Sequence, residues 1–338
     1  MNAPLSTIVV LAAGLGTRMR SSAPKVLHQV CGLPIISHVL RAAAQVEAQR
    51  TVVVLGSGHE LVRPVLPPAC RTALQEVQKG TGHAVLAAAG EIGGGALMVL
   101  AGDTPLLRGD VLRQLAEDHA SSGCDATVLT MRLADPSGYG RVIRDDRGEV
   151  RRIVEHRDAS ADELAVDEVN SGIYVLPAVE TLEILRSVGH TNAQGEVYLT
   201  DVIEGLARRG AVVGAFAAPD PTDVLGVNTR VELAQAEAIM KARLLRQWML
   251  AGVTVENPET VSIHATVELE PDVTLLTGTS LYGRTVVGEG SEIGPGTTLD
   301  GAIVGRRCRL PHCCVANAEV EEGTVLPPFS WLGGPGAP

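Results

Sequence analysis

The chain has 338 residues, 45% of them hydrophobic and 20% charged, which is enough to bury the cores of two domains and far from a disordered composition. Its net charge of −11 repels nucleic-acid phosphates, and its 2% aromatic residues leave few rings for stacking bases, so composition argues against a nucleic-acid partner. No segment approaches the roughly 20 apolar residues of a membrane span, the apolar run Ile8 to Leu15 lacks a basic flank, and the six cysteines show no CxxC pair. No membrane partner and a cytoplasmic location are therefore expected, with the thiols reduced and no structural zinc.

In chain order, the β-branched runs Thr7 to Ala13, Thr51 to Leu55, Ala96 to Asp103 and Asp125 to Leu133 read as buried strands. Amphipathic segments such as Ile35 to Val46 and Val111 to Ala120 lie between them, which predicts an α/β fold with a largely parallel sheet. Ligands in such sheets bind beyond the carboxyl ends of the strands, so the loops after Ala13, Leu55 and Leu100 are the ones to search. A helix is predicted from Arg230 to Ala251, opened by a Thr229/Glu232 capping box and stopped by Gly252. Its apolar stripe is Leu233, Ala236, Met240, Leu244 and Trp248, a face suited to packing against a neighbour.

Beyond that helix the period changes. Ile263, Leu269, Leu275, Leu281, Val287, Ile293 and Leu299 recur every six residues. Four positions after each lies Val267, Val273, Thr279, Thr285, Ser291, Thr297 or Ile303, mostly small or β-branched. No helix has that period, and it predicts a left-handed parallel β-helix whose register slips near Gly305.

The most informative stretch is LAAGLGTRMRSSAPK, Leu11 to Lys25, directly after the first strand. Gly14 and Gly16 let backbone N–H groups approach a polyphosphate, while Arg18 and Lys25 supply charge. A dinucleotide-binding turn would need a third glycine where Met19 stands, and the Walker pattern GxxxxGK[ST] is absent. A bare glycine-rich turn would leave two cations close together with no anion to hold them.

With that stretch the sequence resembles the sugar-nucleotide pyrophosphorylases. The agreement continues through QEVQKGTGHA (Gln75 to Ala84), AGDTPLL (Ala101 to Leu107), GYGRV (Gly138 to Val142), IVEHRDA (Ile153 to Ala159), EVNSGIY (Glu168 to Tyr174), AQGEVYLTD (Ala193 to Asp201) and GVNTR (Gly226 to Arg230). Together these resemble the bacterial N-acetylglucosamine-1-phosphate uridyltransferases. The resemblance implies a Rossmann-like nucleotidyltransferase domain over residues 1–228 and a linker helix over 229–252. It further implies a short left-handed β-helix over 253–328 and a flexible tail over 329–338.

By resemblance, Leu11, Ala12, Ala13 and Gly14 line the nucleotide, with Gln75, Gly80 and Thr81 at the base edge. Asp103 and Asn228 hold Mg²⁺, and Gly140, Glu155 and Asn170 meet the sugar. Lys25 faces the α-phosphate and Arg18 the leaving pyrophosphate. The implied substrates are UTP and N-acetylglucosamine 1-phosphate. In the bifunctional relatives, acetyltransferase residues lie in β-helix coils beyond the length seen here, so uridyl transfer alone is expected, with the β-helix serving a homotrimer. Ala101 is smaller than the aromatic expected in many relatives. The alternatives are a glucose-1-phosphate nucleotidyltransferase using dTTP or UTP, and a non-catalytic assembly subunit of the same fold.

Overall fold

A computed structural model describes residues 5–187 and 195–334, so Ala193 and Gln194 of the AQGEVYLTD motif and the tail from residue 335 lie outside the described residues. The chain divides into two compact units, residues 1–28 with 34–232, and residues 29–33 with 233–338.

The first unit is built on a nine-stranded sheet. Its strands are β1 (Leu5–Ala12), β2 (Arg50–Leu55), β3 (Arg71–Leu74), β4 (Ala96–Ala101), β5 (Ala126–Arg132), β6 (Arg141–Arg144), β7 (Val150–Val154), β8 (Glu168–Pro177) and β9 (Val213–Ala217). The main path runs β9-β5-β8-β4-β1-β2-β3, with β6 and β7 branching off β8. All main-path neighbours are parallel except β8, which runs antiparallel to β4 and β5. Along β1, Ile8 and Val10 join one apolar cluster and Val9 the other, so both faces of the sheet are buried. That explains why these strands read as unbroken apolar runs in place of an alternating pattern. Helices Ile35–Ala43 and Gly109–Ser122 cover one face, and helices Thr81–Ala87 and Asp201–Arg208 the other.

In the second unit short strands stack into three parallel sheets, making a parallel β-helix. The six-residue positions all point inward: Leu275, Leu281, Val287, Ile293 and Leu299 are fully buried. The positions four further on are small because their hydroxyls bridge coils. Thr279 Oγ1 donates to the Ile293 carbonyl at 3.0 Å, Ser291 Oγ to Gly305 at 2.8 Å and Thr297 Oγ1 to Leu310 at 2.5 Å. These bonds satisfy polar groups that have no access to water.

Several expectations need correction. Ile303 is 49% exposed, because the turn after Leu299 is one residue shorter and Ala302 and Val304 point inward in its place. Leu269 pairs with Val287, but Val287 pairs with Val304, one residue sooner than an even repeat would give. The segment expected to be a flexible tail contains a strand, Trp331–Leu332, paired with Cys314 and Val315. Residues 29–33 belong to the second unit: the Cys31 amide donates to Glu237 at 2.6 Å, and its carbonyl accepts from Ala265 at 2.8 Å. The helix Arg230–Leu250 has the capping box, with Glu232 N donating to Thr229 Oγ1 at 3.2 Å and Thr229 N to Glu232 Oε2 at 2.8 Å. Ala236 is the only fully buried member of its expected stripe, and Leu245 joins it with Leu244 and Trp248 against the β-helix core.

Candidate active site

A cleft of about 510 Å³ opens at the carboxyl ends of β1 and β4 in the first unit. Of the side chains and turns expected to act, Leu11 to Gly14, Arg18, Lys25, Gln75, Gly80, Thr81, Asp103, Glu155, Asn170 and Asn228 all line it. Gly140 does not. It sits behind the wall, where a β-carbon would lie 3.5 Å from Glu155 Oε2, and its carbonyl accepts from the Asn170 amide at 2.9 Å.

The turn after β1 is held from inside the unit. Met19 is buried as its anchor. Gly16 has φ +60°, and a β-carbon there would lie 2.7 Å from Lys25 Cβ, so this position needs glycine for both backbone and space. Gly14 differs: a β-carbon there meets nothing within 4 Å, so packing within the chain gives no reason for its bareness. Gln78 Nε2 donates to the Ala13 carbonyl at 2.5 Å, fixing the turn's first peptide.

At the cleft floor Lys25 Nζ lies 2.5 Å from Asp103 Oδ2 and 3.0 Å from Asn228 Oδ1. Lys25 and Asp103 side chains are 13% and 24% exposed, so each partly desolvated charge has its counter-charge. Asp103 is thus a counter-charge to this lysine within the chain. Asp103 stands two residues past the end of β4, and its carbonyl accepts from Val227 N at 2.8 Å, which ties the 226–228 loop to it. Glu232 accepts from Asn228 N at 2.6 Å and so orients that loop from the helix start. Two side-chain oxygens that converge on one cation form a donor set suited to a hard divalent ion. Arg18 is exposed at the cleft and makes no ion pair among the described residues.

Gln75 is buried, and its Nε2 donates to the Gly80 carbonyl at 3.0 Å and lies 2.9 Å from His83 Nδ1. Gly80 has φ +97°, and a β-carbon there would reach the Val197 carbonyl at 2.5 Å, so the tight docking of this turn on the 197–199 segment demands glycine. Thr81 Oγ1 accepts from Leu199 N at 3.0 Å.

Across the cleft, Asn170 Nδ2 donates to the buried Tyr174 hydroxyl at 2.6 Å, while its Oδ1 accepts from Gly172 N at 3.0 Å. Burial pushes the Glu155 carboxyl above the usual glutamate range, with Asp158, Asp201 and Glu196 adding to the effect and the Thr200 hydroxyl, 3.3 Å away, opposing it. Burial likewise raises the Tyr174 phenol.

Sequence reasoning did not single out Gln78, Gly172, Tyr174, Glu196 or Thr200, which also line the cleft. All five fall inside motifs quoted above, so the signal was present. What was missing was which side of each segment faces the cavity.

A largely parallel sheet with a glycine turn, two cations and a carboxylate at its carboxyl edge is the arrangement of a nucleotidyltransferase. Comparisons agree. Residues 8–168 match the MobA-like NTP transferase domain. The chain is 45% identical over 334 residues to the bifunctional protein GlmU of Streptomyces avermitilis, covering 97% of this chain and 69% of that protein. It is 42% identical over 325 residues to the bifunctional protein GlmU of Caldanaerobacter subterraneus subsp. tengcongensis, covering 96% and 71%. With the bifunctional protein GlmU of Thermobifida fusca the identity is 45% over 324 residues, covering 93% and 67%. This chain belongs to the family of the bifunctional GlmU proteins. A UDP-glucose pyrophosphorylase complexed with UDP-glucose matches with TM-score 0.60 at 18% identity, covering 71% of this chain and 99% of that one, a likeness of fold alone. Among the described residues no helix is long and apolar enough to cross a membrane.

Proposed function

We propose that this chain transfers the uridylyl group of UTP to N-acetylglucosamine 1-phosphate, forming UDP-N-acetylglucosamine and pyrophosphate for cell-wall precursor synthesis. The observation that carries the proposal is the convergence of Arg18, Lys25, Asp103 and Asn228 on one cleft that also holds Gln75 at one side and Glu155 and Asn170 at the other.

An oxygen of the sugar phosphate attacks the α-phosphorus in line, forming one P–O bond as the bond to the β-phosphate oxygen breaks. The attacking oxygen is already anionic, so no protein nucleophile or base is needed. Catalysis consists of positioning and of neutralising crowded phosphate oxygens. Lys25 neutralises the α-phosphate and Arg18 the departing pyrophosphate, while backbone N–H groups of residues 12–14 cradle the chain of phosphates. Asp103 and Asn228 would hold Mg²⁺, which when bound supplies positive charge to phosphate oxygens of both substrates. The Lys25 ammonium lies against that same pair of oxygens, at 2.5 and 3.0 Å. Glu155 accepts hydrogen bonds from sugar hydroxyls and Asn170 both donates and accepts, while Gly140, behind the wall, holds the Asn170 backbone through its carbonyl. A homotrimer formed through the β-helix, in the cytoplasm, belongs to the same reading.

Pyrophosphate release is the test, run with UTP, dTTP, ATP and CTP against the 1-phosphates of N-acetylglucosamine, glucosamine and glucose. The pair UTP and N-acetylglucosamine 1-phosphate is expected to give the highest kcat/KM. A higher value for dTTP with glucose 1-phosphate would overturn the assignment.

A further inference from the structure

The orientation of the Gln75 amide is settled by its neighbours. Its nitrogen lies 3.0 Å from the Gly80 carbonyl, which can only accept, so the atom facing Gly80 must be the donor Nε2. The second Nε2 hydrogen then points to His83 Nδ1 at 2.9 Å. Nδ1 must therefore be the accepting nitrogen and the ring hydrogen must sit on Nε2. Rotating the amide by half a turn would set oxygen against the Gly80 carbonyl and against an unprotonated ring nitrogen. Both donor hydrogens are used, and Oε1 accepts no hydrogen bond among the described residues while Gln75 lines the cleft.

An acceptor at the cleft wall that no group of the chain pairs is placed to take a hydrogen bond from a ligand N–H. Uracil and thymine present an imide N–H at ring position 3. Cytosine presents a bare ring nitrogen there, an acceptor facing an acceptor. We propose that His83 is a positioning residue: its accepting Nδ1 locks Gln75 with Oε1 toward the base and thereby makes the cleft select imide pyrimidines over cytosine. This rests on the reading above that Gln75 meets the base edge. His83 lies three positions after Gly80, one turn at the start of the helix Thr81–Ala87, so the two groups that fix the amide are themselves fixed by a single local element.

The experiment compares kcat/KM for UTP and CTP, with N-acetylglucosamine 1-phosphate, in wild type, His83→Phe, His83→Gln and Gln75→Ala. His83→Phe removes one of the two acceptors that hold the amide nitrogen and leaves Gly80 alone to orient it, so the UTP-to-CTP ratio is expected to fall about fivefold to tenfold, the worth of one hydrogen bond. His83→Gln offers a carbonyl oxygen to the same donor and is expected to keep the ratio within about threefold of wild type. Should the phenylalanine variant not fold, His83→Ala is read in its place. A ratio unchanged by loss of the His83 acceptor, while Gln75→Ala collapses it, overturns the positioning role and leaves the base-edge reading intact. A ratio unchanged in Gln75→Ala as well overturns both.

Discussion

Lys25 Nζ stands 2.5 Å from Asp103 Oδ2, so the cation expected at the phosphates and the carboxylate expected at the metal meet at one spot on the cleft floor. Neither of these partly buried charges is left uncompensated. Replacing Lys25 with alanine removes both the phosphate contact and the counter-charge of Asp103. Turnover is expected to fall at least about a hundredfold, the typical effect of removing one electrostatic donor from a reacting site. Steady-state pyrophosphate release checks this, and near-wild-type turnover would refute the role.

The two glycines of the phosphate turn should separate folding from binding. Gly16→Ala places a methyl 2.7 Å from Lys25 Cβ at a φ of +60°, and is expected to lower the melting temperature along with activity. Gly14→Ala meets no protein atom within 4 Å and should leave the melting temperature nearly unchanged while lowering kcat/KM for UTP. Thermal unfolding and kinetics on the two variants test the contrast, and a stability loss as large at Gly14 as at Gly16 would contradict it.

Glu155 carries a pH signature. Because burial raises its folded pKa above the unfolded one, the stability associated with its neutral form is fully present below the ordinary glutamate range and is lost as pH rises through the raised value. Glu155→Gln should therefore be more stable than wild type at neutral pH, with the gap closing under acid. The same variant should raise KM for the sugar phosphate more than KM for UTP, since an amide replaces a carboxylate that accepts from hydroxyls. Denaturant titrations from pH 4 to pH 8 and substrate-resolved kinetics measure both, and a KM increase confined to UTP would place Glu155 elsewhere.

The β-helix register can be checked by stability alone. Leu299→Ala empties a fully buried position and should cost about 2–5 kcal/mol. Ile303→Ser, at a 49% exposed position, should change stability by less than about 0.5 kcal/mol. Comparable losses at the two sites would restore the unbroken six-residue register.

Local pattern made much of this protein legible. The β-branched runs gave β1, β2, β4 and β5 to within a few residues, because strands buried on both faces must be apolar throughout. The six-residue recurrence gave the β-helix, because each coil repeats the same inward positions. Residue types alone made the turn from Leu11 to Lys25 the expected phosphate site, and in the structure Leu11 to Arg18 and Lys25 line the cleft. The exposed Ile303 escaped, since the apolar pattern marks a slip near Gly305 but not which side chains of the shortened turn point inward.

The sequence by itself determined the two periodicities, and with them two kinds of fold, together with the chemical inventory of the cleft. Only the tertiary structure decided the partnerships. Lys25 meets Asp103 across 78 positions and Asn228 across 203, and those meetings depend on which strands become neighbours in the sheet. Spacing along a chain fixes contacts within a turn or two of helix or strand. Beyond that range, packing of the sheet's two faces chooses the loop ends that share a cavity, and the geometry of a site made from distant segments follows from that choice.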